Sequence, residues 1–202
     1  MNIAVFVSGN GSNLQALIDA EARGELATGK ITLIVCDQPE AFALKRAEKA
    51  EIKTFVLEAA GVASREEYDK KVAKELEKEN IELIVLAGFM RILSGDFVDK
   101  YQGRIMNIHP ALLPSFKGTH GIRDAVEYGV KVTGVTVHFV DQGLDSGPVI
   151  LQKCVPIEKE DTMDTLEEKI HSEEHKMYPE AVRLFTENRL RINGRRVDIL
   201  DK

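Results

Sequence analysis

Two polar side chains near the middle of the chain have the types and the spacing for chemistry at a carbonyl group. Asn107 and His109 lie two residues apart in the apolar run 104–109, which Pro110 ends. Such a run predicts a strand, because proline cannot continue a central ladder, and residues two apart on a strand face the same side. A fixed amide donor beside an imidazole suits a carbonyl that becomes a tetrahedral oxyanion while protons are transferred. The simpler alternative is a strand end with two polar caps.

A glycine-containing turn near the start of the chain is a second candidate site. Residues 2–7 predict a buried strand, residues 8–13 a turn, and residues 14–20 an amphipathic helix. Free N–H groups and the positive end of a helix dipole at such a turn can bind an anion. Position 14 is leucine where a dinucleotide fingerprint has its third glycine, and a Walker lysine is missing, which favours a phosphate monoester. A tight turn capped by Ser12 or Asn13 requires the same geometry.

The elements that must position these residues alternate between strand and helix in the first half of the chain. Helices are predicted at residues 41–49 and 64–79, and strands at residues 31–37, 53–57, 81–87 and 104–109. This alternation implies right-handed crossovers and a mostly parallel sheet, which binds ligands at the carboxyl ends of its strands. The loops 8–13, 88–93 and 109–121 are therefore predicted to meet at one edge.

The second half of the chain predicts a change in strand direction. Strands at 131–140 and 149–157 flank a turn at 141–148 and predict a hairpin, in which His138 is a packed structural histidine. Residues 162–185 predict a helix that Pro179 kinks or divides. A short helix at 122–128 and a terminal hairpin turning at Asn193-Gly194 complete the prediction.

One further pattern resembles a metal site. His171, Glu174 and His175 spell the His-x-x-Glu-His pattern of zinc-peptidase helices, and this spacing puts both imidazoles on one helical face. The surrounding residues are strongly charged, and so short a pattern often arises by chance. No metal site is predicted.

The composition limits the class of protein. A chain of 202 residues with 44% hydrophobic residues, 30% charged residues and a net charge of −6 predicts a single soluble domain. The negative charge argues against a general nucleic-acid binder. No secretory signal pattern or membrane-length apolar run is found, so a cytoplasmic location without membrane contact is expected. Cys36 and Cys154 are predicted to be buried free thiols.

Four segments, in their order and spacing, together resemble the phosphoribosylglycinamide formyltransferases, a family of folate-dependent enzymes of purine synthesis. They are residues 8–13, 87–93, 107–114 and 144–148. The resemblance covers nearly the whole chain and implies one α/β domain over residues 1–202. It further implies a Rossmann-like formyltransferase fold, with a mostly parallel sheet, an antiparallel C-terminal part and helices on both faces. Residues 1–100 would form the phosphate-binding half, and residues 101–202 the catalytic and folate-binding half.

The resemblance also implies the reaction. The formyl group of 10-formyltetrahydrofolate would pass to the amine of 5-phosphoribosylglycinamide, giving 5-phosphoribosyl-N-formylglycinamide and tetrahydrofolate, a step of de novo purine (IMP) biosynthesis. The folate would be a cosubstrate, with no tightly bound cofactor and no metal. The two small molecules would be the partners of a monomer or weak homodimer, without nucleic acid.

Individual residues receive roles from the same resemblance. Asn107, His109 and Asp145 would form the catalytic trio, with Asp145 favouring the His109 imidazolium. The ribonucleotide would bind a set of five residues: Gly11, Ser12 and Asn13 at the phosphate, and His171 and Glu174 towards the ribose. His171 departs from relatives, which often carry lysine or glutamine there. The folate would bind Arg65, Met90, Arg91, Ile92, Leu93, Asn107, Asp141, Gln142, Gly143, Leu144 and Asp145. The Leu113-Pro114 peptide bond would be cis.

Four alternatives remain open at this point. Methionyl-tRNA formyltransferase is expected to carry an additional C-terminal domain, and formyltetrahydrofolate hydrolase an N-terminal regulatory domain, for neither of which this sequence has room. A dinucleotide dehydrogenase is supported only by Gly9, Gly11 and Asp37. A non-catalytic nucleotide-binding or regulatory protein would not need Asn107, His109 and Asp145 together.

Overall fold

The computed structural model describes residues 1–201, which form one nine-stranded sheet flanked by six α-helices. The strands are β1 (Asn2–Val7), β2 (Lys30–Cys36), β3 (Lys53–Val56), β4 (Leu83–Leu86), β5 (Ile105–His109), β6 (Val132–Phe139), β7 (Val149–Pro156), β8 (Leu190–Asn193) and β9 (Arg196–Ile199). The helices are α1 (Ser12–Ala22), α2 (Phe42–Lys49), α3 (Arg65–Lys78), α4 (Gly95–Lys100), α5 (Gly121–Tyr128) and α6 (Met163–Thr186). A 3₁₀ turn occupies Ala59–Gly61.

The sheet changes from parallel to antiparallel at the strand that carries Asn107 and His109. Its strand order is β3-β2-β1-β4-β5-β6-β7-β9-β8. Strands β1 to β5 pair in parallel, whereas β6 pairs antiparallel with both β5 and β7. The predicted fold, a mostly parallel sheet with an antiparallel C-terminal part, is confirmed. Strand order reverses between β1 and β4, the kind of switch point where open α/β sheets bind ligands.

Helices cover both faces of the sheet because its inner strands are apolar on both sides. In β1, Ile3, Val5 and Val7 point towards the core that includes side chains of α1 and α6. Ala4 and Phe6 point the other way, towards α3 and α4. Alternate residues of a strand face opposite sides, so a continuous apolar run is what a doubly covered strand requires.

Helix α6 continues through Pro179, so of the two predicted outcomes the division of the helix is wrong, while a kink stays a prediction. The hydroxyl of buried Tyr178 donates to two carbonyl oxygens, that of Leu86 at the end of β4 (2.8 Å) and that of Met106 in β5 (3.0 Å). Ala181 and Val182 pack in the same core directly after the proline. Packing on both sides of Pro179 therefore holds the helix together where local propensity alone would break it.

One other prediction needs correction, and one helix was missed. Cys36 is buried as predicted, but Cys154 is exposed and lines an open surface recess between β7 and α6. Helix α4 was not predicted. Ser94 caps it by accepting a hydrogen bond from the backbone N–H of Phe97 (3.4 Å).

The terminal hairpin is confirmed, with β8 and β9 antiparallel. In the part of the chain that the structure describes, no helix combines the length and the apolarity needed to cross a membrane.

Candidate active site

Loops that follow β1 and β4 meet at the carboxyl edge of the sheet. The backbone N–H of Ser8 donates to the carbonyl oxygen of Gly88 (3.1 Å). In return, the hydroxyl of Ser8 accepts a hydrogen bond from the backbone N–H of Met90 (2.9 Å). The predicted neighbours 8–13 and 88–93 are thus hydrogen-bonded to each other at the switch point of the sheet.

The structure brings Asn107, His109 and Asp145 together around one carboxylate. Oδ2 of Asp145 lies 3.6 Å from Nδ1 of His109, and Oδ1 lies 3.8 Å from Nε2 of His138. The Nδ2 of Asn107 lies 3.2 Å from the same Nε2 of His138. Both contacts of Asp145 are longer than a direct hydrogen bond. The three predicted residues therefore share one cluster, joined through a fourth residue.

That fourth residue, His138, has a tautomer that its neighbours determine. Its Nδ1 lies 2.8 Å from the carbonyl oxygen of Phe139, which can only accept, so Nδ1 carries the proton. Burial lowers the pKa of His138 against the opposing effects of that hydrogen bond and of Asp145. The neutral ring then presents an unprotonated Nε2, which accepts from the Asn107 amide. His138 is packed as predicted, yet it also orients Asn107.

His109 is buried between Asp145 and a loop carbonyl. Its Nε2 donates to the carbonyl oxygen of Phe116 (2.7 Å), while Nδ1 faces Asp145. Asp145 is itself held by the backbone N–H of Gly118, which donates to Oδ2 (2.8 Å), and adopts a left-handed backbone with φ of 44°. The Leu113-Pro114 bond between these elements is cis, as predicted. The carbonyl of Phe116 thus fixes a proton on Nε2, and Nδ1 is directed at the Asp145 carboxylate.

The turn before α1 leaves the start of the helix open. Gly11 is the N-cap with φ of 76°, and among the described residues no side chain makes a capping hydrogen bond there. The amide of Asn13 instead donates to Oε2 of Glu174 (2.9 Å) in a buried contact. The alternative prediction, a turn capped by Ser12 or Asn13, is therefore wrong, because uncapped N–H groups remain at the positive end of α1.

Glu174 lies deep beside this turn and approaches one of the two histidines of α6. Burial raises the pKa of Glu174, while the Asn13 hydrogen bond and His171 oppose that shift. Nε2 of His171 lies 4.0 Å from Oε2 of Glu174. The His171 ring stacks on the His175 ring, with centroids 6.1 Å apart. Across residues 1–201, no group of three or more histidine, cysteine or acidic side chains is arranged to hold a metal ion.

Comparison with known proteins gives the family. The family model described as formyl transferase matches residues 1–182. The chain belongs to the formyl transferase family. The phosphoribosylglycinamide formyltransferase of Bacillus subtilis (strain 168) is 41% identical over 180 residues, which are 89% of this chain and 92% of that protein.

A longer relative and a solved structure agree with this assignment. The trifunctional purine biosynthetic protein adenosine-3 of Chironomus tentans is 44% identical over 194 residues, 96% of this chain but 14% of that protein. This formyl transferase thus spans about one seventh of that relative's length. The crystal structure of glycinamide ribonucleotide transformylase 1 from Symbiobacterium toebii has a TM-score of 0.96 at 44% identity, covering 100% of this chain and 94% of that one. The resemblance inferred from the sequence is confirmed.

Three of the predicted folate-binding side chains are apolar and accessible to a ligand. Met90, Ile92 and Leu144 are 65%, 67% and 58% exposed. Leu93 differs from them because it packs against the core beneath α3 and α4. The Arg91 guanidinium stacks on the ring of Tyr68 at 4.1 Å.

Two of the predicted folate-binding side chains form hydrogen bonds that fix the conformation of loop 141–145. Oδ1 of Asp141 accepts from the backbone N–H of Gly143 (3.1 Å) and from the hydroxyl of Ser146 (2.6 Å). The Gln142 amide donates to both carboxylate oxygens of Asp99 on α4. Asp141 and Gln142 thus shape loop 141–145 of the formyl transferase with their side chains.

Arg65 is the first residue of α3, and its Nε lies 3.6 Å from Oε1 of Glu66 in an exposed ion pair. It stands one helical turn before Tyr68, on which Arg91 stacks. The predicted folate contact of Arg65 stays a prediction.

Proposed function

We propose that this formyl transferase moves the formyl group of 10-formyltetrahydrofolate to the amine of 5-phosphoribosylglycinamide. The observation that carries the proposal is the cluster of Asn107, His109 and Asp145, with one carboxylate oxygen directed at His109 and the other at His138. A relative that is 41% identical to this chain over 92% of its own length is named phosphoribosylglycinamide formyltransferase. The folate is a cosubstrate that leaves as tetrahydrofolate.

The ribonucleotide phosphate would lie on the uncapped N–H groups of Gly11, Ser12 and Asn13. Glu174, fixed by its hydrogen bond from Asn13, and the half-exposed His171 would face the ribose. A carboxylate accepts hydrogen bonds from two neighbouring hydroxyl groups, and an imidazole at the place of lysine or glutamine still offers a donor. The Asn13–Glu174 contact joins the two proposed halves, residues 1–100 and residues 101–202.

The pterin ring would lie against the exposed apolar side chains of Met90, Ile92 and Leu144. Loop 141–145, held by the hydrogen bonds of Asp141 and Gln142, would close the other side of this pocket. Arg65 and its stretch of α3 would meet the anionic glutamate end of the cosubstrate, where a cation is favourable.

The chemistry follows from charge development on the formyl oxygen. The substrate amine forms a bond to the formyl carbon, and the carbonyl oxygen becomes an alkoxide. Asn107 donates one amide hydrogen to His138, which leaves the second for that oxygen. His109 becomes a second donor when the substrate replaces the Phe116 carbonyl at Nε2. Preorganised donors of this kind contribute roughly 10²–10³-fold each.

Collapse of the intermediate requires a proton transfer. The bond between the formyl carbon and the folate nitrogen breaks, while the proton lost by the attacking nitrogen must reach the leaving nitrogen. Asp145 is the nearby base that can pass this proton, through a water molecule, and it stabilises the His109 imidazolium meanwhile.

The experiment that tests the proposal measures deformylated folate with and without the ribonucleotide. The purified chain is mixed with 10-formyltetrahydrofolate and 5-phosphoribosylglycinamide, and folate absorbance is followed. Ribonucleotide-dependent turnover supports the proposal, whereas equal turnover without the ribonucleotide would make the protein a hydrolase. A cytoplasmic location, a monomeric or weakly dimeric state and the lack of nucleic-acid binding stay predictions.

A further inference from the structure

Helix α2 packs against the turn at residues 8–13 that precedes α1. The backbone N–H of Ala43 donates to the carbonyl oxygen of Gly9 (3.1 Å). A Cβ atom placed on Gly11 would lie 2.7 Å from Cβ of Ala43, so the two backbones are in direct contact. The turn therefore depends on α2 for its position as well as on α1.

Arg46 extends this support with three hydrogen bonds from one guanidinium group. Its Nε donates to the carbonyl oxygen of Asn10 (2.9 Å), and Nη2 donates to Oδ1 of the same residue (2.9 Å). Its Nη1 donates to Oε1 of Gln15 on α1 (3.1 Å). The group thus links α2, the turn and the first turn of α1.

The position of Arg46 is constrained further by its surroundings. The guanidinium carbon lies 4.8 Å from the centroid of the Phe42 ring, a cation–π distance. Arg46 also lines a surface recess of about 370 Å³ together with Ser12, Gln15 and His175. Its positive charge therefore borders the same recess as Ser12, one of the residues proposed to hold the phosphate.

We propose that Arg46 is a positioning residue for the ribonucleotide phosphate, an inference that rests on the proposed function. Its three hydrogen bonds fix the conformation in which the turn presents its N–H groups. Lysine cannot replace it, because a single ammonium group does not reproduce three donors in a planar fork.

The test compares Arg46→Gln, Arg46→Lys and the matched control Arg23→Gln. Arg23 lines the same recess but pairs with Glu25, so its loss removes an equal charge without releasing the turn. Arg46→Gln should raise the KM for the ribonucleotide and the Kd of inorganic phosphate by roughly tenfold or more. The kcat at saturating ribonucleotide and the KM for the folate should stay within about twofold.

The lysine variant separates positioning from charge. Arg46→Lys should behave like Arg46→Gln, and Arg23→Gln like the wild type. Wild-type values in Arg46→Gln, or full rescue by lysine, would overturn the proposal. Far-UV circular dichroism establishes that each variant is folded, and the lysine variant carries the test if the glutamine variant is not.

Failure of the proposed function would be recognised separately. It is decided by the wild-type protein alone, as the absence of ribonucleotide-dependent folate turnover. Calorimetric titration with inorganic phosphate would then still test Arg46, because it requires no catalysis.

Discussion

Asp145 directs one oxygen to His109 and the other to His138, so its loss affects proton transfer and the orientation of the site at once. Asp145→Asn should lower kcat by about 10²–10⁴-fold, the range of a proton-transfer group, with KM values little changed. Because the residues act as a unit, Asp145→Asn combined with His109→Asn should cost much less than the product of the single effects. Steady-state kinetics of the three variants measure this, and purely multiplicative losses would show that the residues act independently.

His138 gives a second prediction at this scale. Phenylalanine at position 138 keeps the ring but removes the acceptor for the Asn107 amide, so kcat should fall by roughly tenfold or more. Glutamine can accept from Asn107 through its side-chain oxygen and should restore part of the loss.

In the wild type, acid protonates Nε2 of His138 and removes the acceptor. Because burial lowers the pKa of His138, the resulting fall in kcat should begin at a pH below the ordinary histidine range. The kcat–pH profile of His138→Phe should lack this fall. Equal activity of the wild type and the phenylalanine variant would exclude the role.

The residue scale also shows what the sequence could reveal. Asn107 and His109 were predicted to share a face because strand alternation is local. Their link through His138 depends on the register of β5 and β6, which pairs Asn107 with His138. Such a register joins residues 31 positions apart, and nothing in the local pattern around His138 distinguishes it from a packed histidine.

At the scale of elements, the turn before α1 requires glycine at position 11 because the turn packs closely against α2. The glycine motif by itself suggests a different reason, namely space for the phosphate. A side chain at Gly11 would meet Ala43 of α2 instead of entering the phosphate site, and the positive φ disfavours it further. Gly11→Ala should therefore lower the free energy of unfolding by about 1–3 kcal/mol and raise the KM for the ribonucleotide.

Gly9→Ala is the matched control for that change. Within residues 1–201, no atom beyond its chain neighbours lies within 4 Å of a Cβ placed there, so urea unfolding should show a change below about 0.5 kcal/mol. A Gly11→Ala variant as stable as the control would contradict the packing argument.

Helix α6 carries a prediction on pH. Burial raises the pKa of Glu174, so the folded protein binds a proton there that the unfolded chain has released. Its contribution to stability is present below the unfolded value near 4.5 and is lost as pH rises through the raised pKa. The side chain in Glu174→Gln stays neutral at every pH. The variant should therefore be more stable than the wild type at pH 8, and the two free energies of unfolding should become similar in acid. Urea unfolding at several pH values measures the difference, and a gap that does not depend on pH would contradict the shift.

The elements themselves were mostly predictable, with instructive exceptions. Continuous apolar runs identified the inner strands, because both faces are covered. Helix α4 was missed because it is six residues long and amphipathic periodicity needs a longer window. The continuity of α6 at Pro179 was not predictable, because the bonds from Tyr178 to Leu86 and Met106 connect residues more than 70 positions apart.

At the scale of the whole molecule, the order of motifs along the chain predicted where they would meet. Parallel strands place their carboxyl ends at one edge, and the bonds between Ser8 and residues 88 and 90 confirm that expectation for two of the loops. The third loop reaches the cluster through Gly118 and Asp145. The conformation of loop 141–145 was not predictable, because it depends on the bonds of Asp141 to Gly143 and Ser146 and on the bonds of Gln142 to Asp99 of α4.

The most direct measurement follows the formyl carbon itself. The protein is supplied with 10-formyltetrahydrofolate labelled with ¹³C in the formyl group and with unlabelled 5-phosphoribosylglycinamide, and the products are observed by NMR. We expect the label to appear in the N-formyl group of the ribonucleotide with the wild type, and far more slowly with Asp145→Asn. Label released as free formate, or label transferred equally fast by Asp145→Asn, would contradict this account.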